Sequence, residues 1–149
     1  MKSLKLTTIK AFTLIELLVV ISIIGILVAV SIFGLSGIRE SSRDAKRKSD
    51  LELIKSGLEL YRADCNRYPT TLIFGSALVG ATPPASCLAT NTYISEVPTD
   101  SIPASRNYVY RVIGSGYEIC TSLEQSGLAT INCGSSCGGS GCNYKVINP

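Results

Sequence analysis

The sequence predicts an α+β fold in which one long N-terminal helix packs on a small antiparallel sheet. Three observations support this prediction. A membrane-length apolar run continues into an amphipathic helical pattern, two strand-like segments flank a glycine turn, and all six cysteines follow the apolar run. About 110 residues remain after that run, which is the size of one modest domain.

The apolar run contains no charge between Glu16 and Arg39, a stretch of about 22 residues. A helix rises about 1.5 Å per residue, so this stretch is long enough to cross a hydrocarbon core of about 30 Å. The sequence therefore predicts a membrane anchor. Glu16 stands at its start, where an ionised acid is costly without a partner.

An amine is the natural partner for this acid. A cut after Ala11 would place the new α-amino group of Phe12 one helical turn before Glu16. A neighbouring copy shifted along its axis could present that amine to Glu16 and so set the register of a polymer. A secretory signal has a shorter apolar core of about 7 to 15 residues, and a plain anchor gives no reason for the acid.

The segment Lys10–Glu16, Lys-Ala-Phe-Thr-Leu-Ile-Glu, followed by a long apolar run resembles the prepilin signal of type IV pilins and type II secretion pseudopilins. The resemblance implies the type IV pilin fold and cleavage between Ala11 and Phe12 by a membrane prepilin peptidase that also methylates the new amine. It also implies that Glu16 and Phe12 act in assembly. Most family members have glycine before the cut, where this chain has Ala11.

The amphipathic half of the helix carries an apolar stripe at three- and four-residue steps, which we expect to pack on the sheet: Leu51, Ile54, Leu58 and Tyr61. We expect charged residues to fill the remaining faces: Arg47, Lys48, Glu52, Lys55, Glu59 and Arg62. The helix is predicted from about Phe12 to about Asp64. Gly34 and Gly37 lie at the join, where they favour either a flexible point or close packing in lipid.

The helix must end before Pro69, because the residue before a proline disfavours the helical region. The segment Tyr61–Thr70 also resembles the helix-ending pattern LYRxDNGRYPT of pseudopilins and many bacterial pilins. Prolines and small residues then predict a connecting loop with little regular structure from Leu72 to Asp100.

A β-hairpin is predicted next, with strands over 108–113 and 117–123 around the turn Gly114-Ser115-Gly116. By two-residue alternation, one face of its second strand would cover the helix stripe: Tyr117, Ile119, Thr121 and Leu123. Because two strands alone are marginal, we expect a third over 128–132 or 144–147. The sequence does not choose between them.

The even number of cysteines predicts three disulfides in an oxidising compartment, hence a head outside the cytoplasm: Cys65, Cys87, Cys120, Cys133, Cys137 and Cys142. Their 15 possible pairings stay open. Basic residues flank both ends of the span, so the charge rule alone does not orient it. We predict no metal site, because the chain has no histidine and no Cys-x-x-Cys pairs. The calcium site of some pseudopilins is not supported around Asp100, which has few neighbouring acids.

The predicted function is structural. No acid-base or nucleophile constellation and no cofactor site can be assembled, so we predict a non-enzyme without cofactors. The first interpretation is a pilus subunit, and the alternative is a type II secretion pseudopilin. A second alternative is a minor or competence pilin that binds DNA or surfaces, although basic residues on the head are few. Without the three leader lysines the net charge of +3 falls to about zero, which gives no clear sign of a nucleic-acid partner.

The predicted organisation has four parts: a leader over 1–11, a transmembrane and filament-core helix over 12–38, an amphipathic half over 39–64 and an extracytoplasmic head over 65–149. The partners implied by the resemblance are further copies in a helical filament, the prepilin peptidase and methyltransferase, an inner-membrane assembly platform, and membrane lipid before assembly. The chain would be a single-pass membrane protein first, and part of a cell-surface pilus or a periplasmic pseudopilus after assembly.

Overall fold

The structure, a computed structural model, describes residues 12–125, 127 and 129–148, apart from the side chains of 33–36. The leader, with Ala11, lies outside the described residues. The chain divides into an N-terminal unit up to Ile38 and a C-terminal unit from Arg39 onward. The elements in chain order are α1 (Leu14–Cys65), β1 (Leu78–Val79), β2 (Thr92–Ile94), β3 (Val109–Ile113), β4 (Gly116–Thr121) and β5 (Tyr144–Ile147).

The first part of α1, Leu14–Ile32, is 19 residues long and apolar enough to cross a membrane. All of its side chains are exposed. An all-round apolar helix requires an apolar surrounding, which the described residues do not supply. The helical assignment runs through Gly34 and Gly37, and the flexibility expected at these glycines stays a prediction.

The C-terminal end of α1 carries a left-handed cap. Asn66 follows the last helical residue with φ of 54°, and its N–H donates to the carbonyl of Arg62 at 2.8 Å. Asparagine tolerates this conformation better than most residues, and the bond satisfies a carbonyl of the last turn. The helix therefore ends at Cys65, one residue after the predicted end.

A three-stranded antiparallel sheet has the order β3-β4-β5. Ile113 pairs with Gly116, so the hairpin turn has two residues, Gly114 and Ser115, and Gly116 belongs to β4 rather than to the turn. Gly114 has φ of 59°, which suits the first central position of a tight hairpin turn. The third strand is β5, the second of the two predicted choices. Residues 129–132 form no strand, and Leu128 lies outside the described residues.

The predicted loop from Leu72 to Asp100 has little regular structure, as expected, but it contains a second sheet of two short strands, β1-β2, that was not predicted. Ile94 of β2 lies against α1 at Gly57, where a Cβ atom would come within 2.2 Å of the Ile94 side chain. A glycine at this helix position thus lets β2 approach. Strands of two and three residues are too short to show a periodic signal, which is why composition alone missed them.

The inner face of the larger sheet packs on the helix stripe. Leu51, Ile54 and Leu58 are fully buried, Tyr61 is nearly so, and they share one core cluster with residues such as Tyr117, Ile119 and Val146. The outer face of β4 is also covered. There Cys120 joins a second cluster with Cys133, Cys137 and Cys142.

Three disulfides link Cys65 to Cys87, Cys120 to Cys133, and Cys137 to Cys142. The first fastens the end of α1 to the segment between β1 and β2. The other two close the C-terminal loop over the outer face of the sheet. A glycine-rich loop loses much conformational entropy on ordering, so these cross-links stabilise a segment that has few apolar side chains of its own.

Candidate functional site

Thr13 and Glu16 form a reciprocal cap at the start of α1. The Thr13 N–H and hydroxyl both donate to Glu16 Oε2, at 2.9 and 2.7 Å, and the Glu16 N–H donates to Thr13 Oγ1 at 3.3 Å. This is a capping box, in which a Thr before the first helical residue and a Glu three positions later satisfy each other's amides. The cap fixes where the helix begins and where the acid points.

The hydrogen bonds from Thr13 use only one of the two carboxylate oxygens of Glu16. Glu16 Oε1 accepts no hydrogen bond from a described residue, and the carboxylate has about four acceptor positions. Phe12 is 77 % exposed beside it. Phe12, Ile15, Val19 and Val20 line a shallow apolar groove at the acid. The site can therefore accept one more donor at the carboxylate and an apolar surface next to it.

The position of Glu16 at the start of the apolar run predicts its role in assembly. Phe12 lies two residues before the first residue of α1 and lines the same groove as Glu16. Thr13 was not among the predicted site residues. The signal was present, because Thr-x-x-Glu before an apolar run is a capping-box pattern. Ala11, the other residue of the predicted cleavage site, lies outside the described residues.

A buried ionic cluster in the C-terminal unit surrounds Arg47. Its guanidinium bonds to Asp44 at 2.7 Å, to Glu124 at 2.7 Å and to both oxygens of Asp100 at 2.6 and 3.1 Å. The Arg47 side chain has no exposure. The expectation that Arg47 lies on a solvated face was therefore wrong, because helical periodicity cannot show that acids from distant loops enclose a charge.

The cluster joins α1 to two loops. Asp44 accepts the backbone N–H of Glu124 at 2.8 Å and that of Gln125 at 2.9 Å, while Asp100 accepts the N–H of Ile102 at 2.8 Å. The loop before β3 and the loop after β4 are thus both fastened to the same helical turns.

The pKa values agree with this geometry. Hydrogen bonds from Arg43, which outweigh burial, and further bonds from Arg47 lower the pKa of Glu124 to about 2. Burial raises the pKa of Asp100, but hydrogen bonds from Arg47 and the Ile102 amide outweigh it and hold that pKa below its usual range.

Acids along α1 also accept hydrogen bonds from tyrosines at the edges of the apolar stripe. Tyr108 donates to Asp50 at 2.8 Å, and Tyr117 donates to Glu59 at 3.2 Å. Tyr68 also donates to Glu59, at 3.0 Å. Glu59 is thus half-buried against the core rather than on a solvated face, which corrects the expectation for this residue. Burial is the main cause that raises the pKa of Tyr117 and of Tyr108.

One group of potential metal ligands occurs within the described part of the chain. Glu118, Cys120 and Cys133 have ligand atoms within 4.8 Å of one another. However, the two sulfurs share a disulfide and are not thiolates, and Glu118 pairs with Arg111 and Lys145 across the sheet. Since a thiolate is the ligand form of cysteine, this group has no metal-binding chemistry while oxidised.

Comparison with known families extends the prepilin resemblance. Residues 7–35 match the prokaryotic N-terminal methylation motif. Residues 35–128, more than half of the chain, match the family "Type II secretion system (T2SS), protein G". The chain belongs to the type II secretion protein G family. The matched region contains the amphipathic part of α1 and the helix-ending segment, and it extends through β4.

Curated relatives in this family are each named "Type II secretion system core protein G". The relative from Aeromonas hydrophila is 38 % identical over 94 residues, which are 61 % of this chain and 66 % of the relative. That from Escherichia coli K12 is 36 % identical over 104 residues, 67 % of this chain and 70 % of the relative. The chain thus spans about two thirds of the length of these relatives. No solved structure matches the chain.

Proposed function

We propose that this chain is a pseudopilin, a structural subunit that is held in a membrane by its apolar helix and polymerises into the periplasmic pseudopilus of a type II secretion system. The match to the protein G family favours the pseudopilin, which was the alternative interpretation, over the pilus subunit. The observation that carries the proposal is the capped Glu16 at the start of a wholly exposed apolar helix.

Processing at Ala11 and Phe12 prepares this site. Cleavage between them frees an amine on Phe12, one residue before the Thr13 cap and one turn before Glu16. The cap already occupies Glu16 Oε2, so the freed and methylated amine of a neighbouring copy finds an acceptor at Oε1. Pairing of opposite charges removes the cost of an isolated acid in an apolar filament core.

The subunit has no catalytic role in this proposal and needs no cofactor. Its other partners are the prepilin peptidase and methyltransferase, the inner-membrane assembly platform, and lipid around Leu14–Ile32 before assembly. The leader over 1–11, the filament-core helix over 12–38, the amphipathic half over 39–64 and the head over 65–149 are the proposed functional divisions.

To test the proposal, the full chain is expressed with a prepilin peptidase and the type II assembly apparatus in a host that lacks its own protein G subunit. Mass spectrometry is expected to find a methylated Phe12 as the mature N-terminus. Glu16→Gln keeps the shape and removes the charge, so we expect normal processing but at least tenfold fewer fibres. Glu52→Gln, a change to an exposed acid of the C-terminal unit, is the matched control and should leave the fibre yield unchanged.

Two results would overturn the proposal: a mature N-terminus at Met1, or an unchanged fibre yield from the Glu16→Gln chain. Secretion of a type II substrate separates the two filament classes. Restored secretion supports the pseudopilin, whereas surface fibres without restored secretion would instead identify a pilus subunit.

A further inference from the structure

An exposed stripe runs along α1 in the C-terminal unit at seven-residue intervals: Arg39, Lys46, Leu53 and Leu60. Positions seven apart drift by only about 20° around a helix, so these four side chains share one face. Its first half is basic and its second half is apolar. Leu53 is 50 % exposed and Leu60 is 59 % exposed.

The apolar half of the stripe borders a groove of about 280 Å³. Leu53 and Leu60 form one wall, while Ile94 and Glu96 of the β2 region contribute to the other. Gly57 at the floor allows β2 to lie this close to the helix. Glu96 is exposed and makes no ion pair with any described residue. The groove therefore has a mainly apolar lining and one unpaired negative charge at its edge.

The basic half of the stripe has the complementary chemistry. Arg39 and Lys46 are exposed, and neither forms an ion pair within the described part of the chain. By contrast, Arg43 and Arg47, on the same helical turns, are engaged with Glu124. Long cationic side chains cover apolar surface with their methylene stems while their charged ends reach an acid.

We propose that this groove is the docking site for a second copy of the chain, which inserts the basic half of its own stripe. This copy is a different neighbour from the one whose Phe12 amine reaches Glu16, since that pairing needs a shift of only about four residues. The proposal rests on the proposed polymerisation and names the contact between C-terminal units. Two parallel helices displaced by 14 residues, about 21 Å, place Arg39 beside Leu53 and Lys46 beside Leu60. The Lys46 ammonium of the second copy then pairs with Glu96.

Such a contact uses different surfaces on the two copies. Such a heterologous contact leaves a free surface on each end of the assembly. Unless its rotation closes a ring, it can therefore repeat indefinitely and build an open filament. The exposed leucines then have a role that an isolated subunit does not give them, because they are covered in the fibre by the stems of the next copy.

The first experiment is a charge exchange in the full chain, expressed with the peptidase and assembly apparatus. Lys46→Glu and Glu96→Lys each place like charges together, and each is expected to lower the fibre yield about tenfold. The double variant restores opposite charges and should return to within about twofold of the unaltered chain. Lys48→Glu makes the same charge change on the opposite face of α1 and should leave the yield unchanged.

A second measurement does not depend on the charge variants folding. A photo-crosslinking amino acid at Leu60, in otherwise unaltered fibres, is expected to join residues 39–48 of another copy. Fibres that crosslink elsewhere, or a double variant as poor as the single ones, overturn this contact alone. Absence of fibres from the unaltered chain overturns the proposed function and the contact with it.

Discussion

Side chains are exposed along the whole of Leu14–Ile32, whereas the continuation of the same helix in the C-terminal unit buries Leu51, Ile54 and Leu58 completely. Both regions are rich in leucine and isoleucine. The difference lies in what surrounds them: the C-terminal unit supplies its own sheet, and the N-terminal unit depends on lipid or on further copies. The same apolar side-chain types thus serve folding in one region and association in the other.

The largest effect is expected from Arg47→Ala, which tests whether the C-terminal unit depends on its buried charges as well as on its apolar core. The change leaves the carboxylates of Asp44, Asp100 and Glu124 without their shared cation. Breaking a buried ionic group in this way costs about 3 to 5 kcal/mol. Denaturant unfolding of the detergent-solubilised chain measures it. Lys46→Ala, one residue before and exposed, should change the unfolding free energy of the unassembled chain by less than about 0.5 kcal/mol.

A matched pair of isoleucine substitutions tests whether the two regions of α1 use their apolar side chains differently. Ile54→Ala removes a fully buried side chain and should destabilise the C-terminal unit by about 2 to 5 kcal/mol. Ile24→Ala is the same change at an exposed position of the apolar run and should leave that unfolding transition in place. We expect its effect in fibre yield instead. A loss of stability from Ile24→Ala as large as that from Ile54→Ala would contradict the division of roles.

Ile54 and Arg47 differ in whether the sequence alone predicts their burial. Ile54 belongs to a stripe whose periodicity predicts burial, and the apolar run predicts its own exposure to lipid. The burial of Arg47 depends on Asp100 and Glu124, which are 53 and 77 residues away along the chain. Periodicity carries no information about such partners. The same limit applies to Glu118, which β4 buries on its outer face because the disulfide-closed loop covers it.

The disulfides should differ in the stability they provide. The chain-entropy treatment assigns about 3.4 kcal/mol to a cross-link that closes about 22 residues, and about 2 kcal/mol to one that closes about 5. Replacing Cys65 and Cys87 together by alanine should therefore lower the unfolding free energy more than replacing Cys137 and Cys142. Thermal unfolding of the two double variants makes the comparison, and the reverse order would mean that the C-terminal loop depends chiefly on its smaller cross-link.

Acid should weaken the C-terminal unit through the Arg47 cluster. The pKa of Glu124 is lowered to about 2 in the folded chain, so its stabilising effect is present above the usual carboxyl pKa of about 4.5. That contribution is lost as the pH falls from about 4.5 towards 2. Unfolding curves across this range should show a larger loss of stability in the unaltered chain than in the Glu124→Gln chain, which keeps only the contribution of Asp100. Equal acid sensitivity in both chains would assign the effect to other carboxylates.

The two regions also differ in how their hydroxyl groups are hydrogen-bonded. In the apolar run the Ser22 and Ser31 hydroxyls donate to the carbonyls of Leu18 and Leu27 at 2.7 and 2.8 Å, as a surrounding without water requires. In the C-terminal unit the fully buried Thr121 Oγ1 has no hydrogen-bond partner among the described residues.

Thr121→Val should therefore stabilise the C-terminal unit by about 1 kcal/mol, because it removes an unsatisfied polar atom and keeps the side-chain shape. Thermal unfolding measures the change, with Thr92→Val, at an exposed position of β2, as the control. A loss of stability of similar size would show that the Thr121 hydroxyl is bonded after all. A gain would mean that the C-terminal unit, with its sheet, ionic cluster and disulfides, tolerates an unpaired hydroxyl at Thr121. In the apolar run, by contrast, the Ser22 and Ser31 hydroxyls are both hydrogen-bonded.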